Sequence, residues 1–309
     1  MTVECWCGNS DLALFGEGYL HCRKCETLVA VTDSGKFDPR VTDESKDLYG
    51  KSYWFDHQTS DLGCPDILSR SRTDLSERCI HWMRSLLQFI LPPAKVLEIG
   101  CAHGGFVAML RQAGFDATGL ELSPSIVQLA TETFDVPVIT GPIEDQSIPP
   151  QSLDAIVMMD VLEHLPNPLE TVACCLKRLK PDGIFLAQTP AYPEGMTLKR
   201  LHEQKHQFPR MLDTNEHPFL FSRSSACELF RRAGAKCMEF IPAIFDFYDM
   251  SFVASRVPLQ RHDAGQQSAA LARTVNGRFI QALLDLDERR LNLLGKYREL
   301  RTQSRAMAG

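Results

Sequence analysis

A chain of 309 residues is long enough for one full core with appendages, and its 44% apolar and 23% charged content suits a folded globular protein. The formal net charge of −6 argues against nucleic acid as the main partner, and no run of about eighteen apolar residues offers a membrane span. The start lacks the basic region and apolar core of a secretory signal, so the expected compartment is the cytosol, where eleven cysteines point to reduced thiols and metal binding.

In chain order, Cys5, Cys7, Cys22 and Cys25 form two close pairs flanking short apolar runs that glycine breaks, a hairpin pattern. Residues 40 to 75 are polar and turn-rich, with an aromatic group at Tyr49, Tyr53, Trp54 and Phe55. A helical pattern runs from Ser76 to Ile90 and stops at Pro92-Pro93. Strands are then predicted at Lys95–Ile99, Ala117–Glu121, Val136–Thr140, Leu153–Met159, Gly183–Gln188, Ala235–Phe240 and Ser251–Ser255. Helices fall at Gly105–Ala113, Ser123–Thr133, Pro168–Leu179 and Arg223–Arg232. Apolar strands alternating with helices predict an α/β fold with a mostly parallel sheet covered on both faces. The stretch from Pro190 to Phe221 interrupts the alternation and is rich in His and Pro, as a substrate loop would be. From Gln266 to Ser304, apolar residues at Leu271, Val275, Phe279, Leu283, Leu286, Leu293, Tyr297 and Leu300 predict a long amphipathic helix. Such a helix packs on its own domain or, at this length, pairs with a second copy as a homodimer.

The string Val96-Leu97-Glu98-Ile99-Gly100-Cys101-Ala102-His103-Gly104-Gly105, followed by Gly119-Leu120-Glu121, reads as a nucleotide-binding βαβ unit. It has glycines for close backbone approach and a strand-end acid for ribose hydroxyls. Its turn lacks the dinucleotide spacing and shows no pyrophosphate cradle. An adenosine cofactor without phosphates, S-adenosylmethionine, suits it better.

With Gly141-Pro142-Ile143-Glu144, the segment Leu153 to Pro168 and Leu179 to Pro190 added, residues 95 to 255 resemble the class I S-adenosylmethionine-dependent methyltransferases. The likeness is greatest to small-molecule enzymes such as the ubiquinone-pathway O-methyltransferases. It implies a Rossmann-like, seven-stranded sheet. It also implies that Glu98 contacts the methionine amino group, that Gly100, Ala102 and Gly104 form the cofactor turn, and that Glu121 and Leu122 flank the ribose. Met159 and Asp160 lie at the methionine end. Ala102 stands for the usual middle glycine, which suits a negative φ. Pro142 stands where an adenine-binding Asp is common, passing that contact to Ile143 or Glu144. A divalent cation at Asp160, Glu163 and His164 is also implied, against the alternative that Glu163 and His164 only cap the next helix.

The cysteine pairs resemble a zinc ribbon, in which four thiolates hold a structural Zn2+. Cys101, Cys174, Cys175 and Cys237 read as core residues. A hydroxyl acceptor needs a base, for which His217 is favoured, then His206, with His202 a further candidate. Tyr53, with Tyr49 and Trp54, is read either as a lid over the sulfonium or as packing between ribbon and main domain. The expected organisation is a ribbon at 1–38, linker and helical lid at 39–93, and a cofactor domain at 94–258 with its insert at 190–221. A terminal helix follows at 264–306. The expected activity is methyl transfer to a small-molecule hydroxyl of a sugar, glycan precursor or other metabolite. The rivals are sugar C-methylation, RNA methylation with the ribbon gripping RNA, and a non-catalytic assembly role.

Overall fold

The computed structural model describes residues 3–31, 37–60, 63 and 65–307, which leaves Cys64 and part of the predicted ribbon range outside the described residues. Near the N-terminus, Leu12–Gly16 (β1) and Tyr19–Cys22 (β2) form the predicted hairpin, and Leu28–Ala30 (β3) pairs antiparallel with β2. The remaining strands are Lys95–Ile99 (β4), Asp116–Glu121 (β5), Val138–Thr140 (β6), Leu153–Met159 (β7), Leu179–Pro190 (β8), Phe219–Leu220 (β9), Cys237–Ile241 (β10) and Asp249–Ser255 (β11).

Seven of these build one sheet in the order β10-β11-β8-β7-β4-β5-β6. Strands β4 to β8 run parallel, whereas β11 is antiparallel to both of its neighbours. Successive residues of a strand face opposite sides, so Leu97, Ile156 and Phe185 enter one core layer while Val96, Val157 and Leu186 enter the other. Strand order reverses between β4 and β7, and ligand crevices in open α/β sheets form at such a switch, beyond the carboxyl ends of the strands.

Local chemistry fixes the helices. Ser123 accepts from the Ile126 amide and Pro124 opens the helix Pro124–Phe134, and a Ser222–Ser225 capping box starts Arg223–Ala233. The helix predicted from Ser76 begins earlier. Asp66 accepts from the Ser69 amide and opens Ile67–Asp74, which runs through wider turns at Leu75–Cys79 into Ile80–Leu87. The polar composition of residues 66–74 hid this start, because only Ile67 and Asp74 face inward.

The terminal helix departs from expectation in two ways. It is broken between Ala264–Leu271 and Val275–Met307, with Thr274 Oγ1 accepting from the Gly277 amide to restart it. Its inner face is also not the predicted stripe. Ile280 is 5% exposed and Leu284 packs beside it, whereas Phe279 is 67% and Leu293 66% exposed. Among the described residues, no helix is long and apolar enough to cross a membrane.

The insert joins the ribbon. Val29 of β3 stands opposite Phe219 of β9, so one four-stranded sheet, β1-β2-β3-β9, contains both segments. Tyr19, Leu28, Tyr192, Leu201, Phe208 and Leu220 form a small core between them. The Tyr19 hydroxyl lies 2.8 Å from both the Asp213 and His217 carbonyls.

Candidate functional site

A cavity of about 1040 Å3 opens over the carboxyl ends of β4, β5 and β7. Its floor is the glycine turn and the loops after β5 and β7. Its walls come from the segment before β4, from β3 and from the insert, including Tyr49, Tyr53, Trp54, Val29 and Phe219.

At the floor, Gly100 has φ +71, and a Cβ there would collide with Val161 of the facing loop. Ala102 has φ +44, not the negative angle expected, so a residue with a Cβ sits in the left-handed region beside the cavity. Gly104 has φ +78 and does not line the cavity; a Cβ would come within 3.0 Å of Ala130 and Val136, so its role is helix packing.

Glu121 is held by three amides. Oε2 accepts from Ala102 at 3.0 Å, and Oε1 accepts from Leu122 at 2.8 Å and Ser123 at 3.3 Å. Burial raises its carboxyl above the usual range, and these amides offset part of that rise. Glu98, at the end of β4, is 4% exposed, and its Oε2 has no hydrogen-bond partner among the described residues. Burial and then the nearby Glu121 push its carboxyl well above its ordinary value. A buried carboxylate oxygen without a donor is costly, so this site fits a cationic ligand group.

The other predicted cofactor residues also line the cavity: Leu122, Ile143, Glu144, Met159, Asp160 and Tyr53. The Glu144 carboxylate accepts from the Thr171 hydroxyl. Asp160, at φ +56, accepts from Arg78 at 2.8 Å and from Gln188 at 3.0 Å. Behind it, burial and then Asp160 push Asp249 up to about 8. Asp160 therefore faces a guanidinium, which corrects its place in the implied cation site.

The histidines sort differently from expectation. His202 lies beside Glu17 at 3.3 Å, and its side chain is more than half exposed. His206 does not line the cavity; its Nδ1 accepts from the Phe208 amide and closes a local turn. His217 stands behind His164, ring centroids 4.7 Å apart, and of these two His164 reaches the cavity. Burial, then the neighbouring His217, pulls His164 down to about 3, so its ring is neutral.

Glu216, His57 and Glu44 escaped sequence reasoning, whereas Tyr49, Tyr53 and Trp54 of the expected lid do stand at the cavity wall. Glu216, 5% exposed, receives the Tyr53 hydroxyl at 3.1 Å and His57 Nε2 at 2.9 Å. Tyr49 reaches His164 Nδ1 at 2.7 Å, and Trp54 donates to the Tyr49 carbonyl. Glu44 bridges from the linker to the Ser125 amide and the Ser123 hydroxyl. Glu216 had one signal, its place beside His217; the others lie in a segment without periodicity.

The cysteine cluster forms a second candidate centre. Cys5, Cys7, Cys22 and Cys25 place their sulfurs within 4.8 Å of one another, with Cys5–Cys25 at 3.5 Å and Cys7–Cys22 at 3.7 Å. Four thiolates about 2.3 Å from zinc stand roughly 3.8 Å apart, so the set fits a tetrahedral ion. Asn9 donates to Cys22 Sγ at 3.4 Å, an outer bond typical of a thiolate ligand. Cys101 and Cys175 are buried in the core, while Cys174 and Cys237 are partly buried.

Comparison with known proteins agrees with this geometry. A family described as a methyltransferase domain matches residues 71–239, more than half of the chain. A ubiquinone biosynthesis O-methyltransferase of Xanthomonas campestris pv. campestris is 34% identical over 115 residues, 35% of this chain and 48% of that protein. Its namesake in Photobacterium profundum is 32% identical over 95 residues, 29% of this chain and 40% of that one. The chain thus spans about half the length, or less, of these curated relatives. A solved phosphoethanolamine N-methyltransferase 2 of Haemonchus contortus superposes with a TM-score of 0.52 at 14% identity, over 71% of this chain and 61% of that one, which shows a common fold. The chain belongs to the class I S-adenosylmethionine-dependent methyltransferase family.

Proposed function

We propose that this protein transfers a methyl group from S-adenosylmethionine to a hydroxyl of a small molecule, a sugar or glycan precursor in the first place. The observation that carries the cofactor half is the buried, donor-less Glu98 oxygen beside a turn pinned by Glu121. The methionine ammonium would supply the missing donor to Glu98, and Glu121 would receive ribose hydroxyls on its remaining lone pairs. Gly100 and Ala102 would pass the backbone under the cofactor. Leu122, Ile143 and Glu144 would surround the adenosine, and Met159, Asp160 and Tyr53 the sulfonium end.

A cavity of about 1040 Å3 exceeds what one drug-sized ligand fills, so it accommodates donor and acceptor together. Its outer wall mixes aromatic and charged groups, Phe37, Asp38, Arg40, Tyr49 and Phe219, a lining suited to a hydroxylated ring. Methyl transfer is an in-line displacement, and the protein's main contribution is to hold the two reactants in line. A hydroxyl must also lose its proton, and a histidine on the cavity lining, His164, has His217 and Glu163 behind it.

Calorimetry with S-adenosylmethionine is the first test, and absence of binding by the folded chain defeats the reading. Labelled methyl transfer across nucleotide sugars, phenols and RNA then decides the acceptor. Incorporation into RNA alone would overturn the small-molecule assignment.

A further inference from the structure

The implied cation set of Asp160, Glu163 and His164 does not suit the side chains present. Both Asp160 oxygens are occupied, one by the Arg78 guanidinium at 2.8 Å, and a cation next to that group is repelled. A different set converges nearby. We propose that Glu163, His164 and His217 bind one divalent first-row transition-metal ion.

One ligand atom from each of the three lies within 4.8 Å of the others. Ligands about 2.1 Å from a common ion stand roughly 3 to 4 Å apart, so small rotamer shifts close the set. Each ligand is also already oriented from behind. A carbonyl can only accept, so the contact of His164 Nδ1 with the Glu216 carbonyl at 2.8 Å places the proton on Nδ1, with the Tyr49 hydroxyl, 2.7 Å from the same nitrogen, accepting from it as well. The same argument applies to His217 Nδ1 at 2.7 Å from the Met211 carbonyl. Both imidazoles therefore carry their lone pair on Nε2. Glu163 receives the Thr189 hydroxyl on Oε2 at 2.8 Å, leaving Oε1 on the side of His164 Nε2, 4.0 Å away.

Two imidazole lone pairs and a carboxylate oxygen converging in a buried wall repel one another unless a cation lies between them. Backbone carbonyls behind histidine ligands and a hydroxyl behind a carboxylate ligand are the outer contacts that orient metal sites. Two imidazoles and one carboxylate suit a transition ion better than magnesium or calcium, which prefer all-oxygen shells. His164 lines the cavity and His217 belongs to the insert, so the ion would tie the acceptor-side insert to the loop after β7. His164 and His217 are then both ligands, so the Nε2 lone pairs considered above for proton removal are engaged by the ion instead.

The test is Mn2+ titration of the full chain, its cysteines loaded with zinc, followed by the loss of the free-ion electron paramagnetic resonance signal. Hard Mn2+ avoids the thiolate site, and neither cofactor nor acceptor is needed, so the result is separate from methyl transfer. One Mn2+ per chain is expected. Co2+ at this site should give weak visible bands without the intense sulfur-to-metal absorption of the cysteine cluster. His217→Ala should weaken Mn2+ binding by about 100-fold or more, and Thr189→Val, which keeps all three ligands, by roughly 10-fold or more. Circular dichroism establishes that both variants are folded, and Asp160→Asn should stay within about threefold of the parent. No uptake of Mn2+ or Co2+ beyond the cysteine cluster would overturn the proposal. So would a loss with Asp160→Asn equal to that with His217→Ala.

Discussion

Val29 and Phe219, far apart in the chain, face each other across an antiparallel pair that makes the cysteine ribbon and the insert one sheet. Both residues line the cavity. The ribbon is therefore part of the cavity wall, and a metal held by its four cysteines would act on that wall through β3.

Zinc removal should consequently separate the two halves of the reaction. Cys22→Ser, or chelation, is expected to loosen β1 to β3 and β9, because so short a segment lacks the apolar mass to fold without its metal. Limited proteolysis should then cut within residues 190–221, while calorimetry still records S-adenosylmethionine binding. Loss of cofactor binding with the insert still protected would contradict this coupling.

Glu121→Ala should weaken S-adenosylmethionine binding by about 1–3 kcal/mol, the usual cost of losing a charged hydrogen-bonding partner. The same change frees the amides of Ala102, Leu122 and Ser123, so a lower melting temperature should accompany it. Unchanged affinity would remove the ribose assignment.

Asp249 gives a pH signature with a definite sign. Its folded carboxyl is pushed up to about 8, from an ordinary value of 3.8, by burial and by Asp160. An acid that holds its proton more tightly when folded adds stability at low pH. That increment falls as pH rises from about 4 and is gone by about 8. Thermal melts between pH 5 and 8 should fall with pH in the parent and be flatter in Asp249→Asn. Equal slopes would show that the Asp249 proton is not retained in the fold.

Two neighbours on the last helix should behave oppositely. Ile280, 5% exposed, lies against the core, and Ile280→Ala should cost about 2–4 kcal/mol in denaturant unfolding. Phe279, 67% exposed, should change stability by no more than about 0.5 kcal/mol when cut to Ala in a dilute monomer. A large loss at Phe279 in concentrated protein that shrinks on dilution would instead reveal a partner on the outer stripe.

The central sheet was readable because its strands are short apolar runs with flanking breaks; β4, β7 and the helix Gly105–Ala113 fall where periodicity put them. Strand β9 was not readable, since it has two residues and owes its existence to a partner near the other end of the chain. Apart from Gly104, the residues expected around the cofactor line one cavity, most of them because a fixed spacing around one βαβ unit places them there. Of the opposite wall only the aromatic group Tyr49, Tyr53 and Trp54 was legible, and its polar partners His57 and Glu216 escaped for the opposite reason. Tyr49, Tyr53, His57 and Glu216 meet through side-chain contacts across long loops, and nothing periodic marks such contacts. The outer stripe of the last helix misled in a third way: its spacing is regular, but its apolar side faces away from the domain.

The shared sheet also constrains how this enzyme can be altered. Exchanging the ribbon for that of a relative would strip β9 of its edge partner, and exchanging the insert would leave β3 with an open edge. New acceptor ranges should therefore be sought by transplanting residues 3–31 and 190–221 as a pair, whereas the methyl-donor half can be left as it stands.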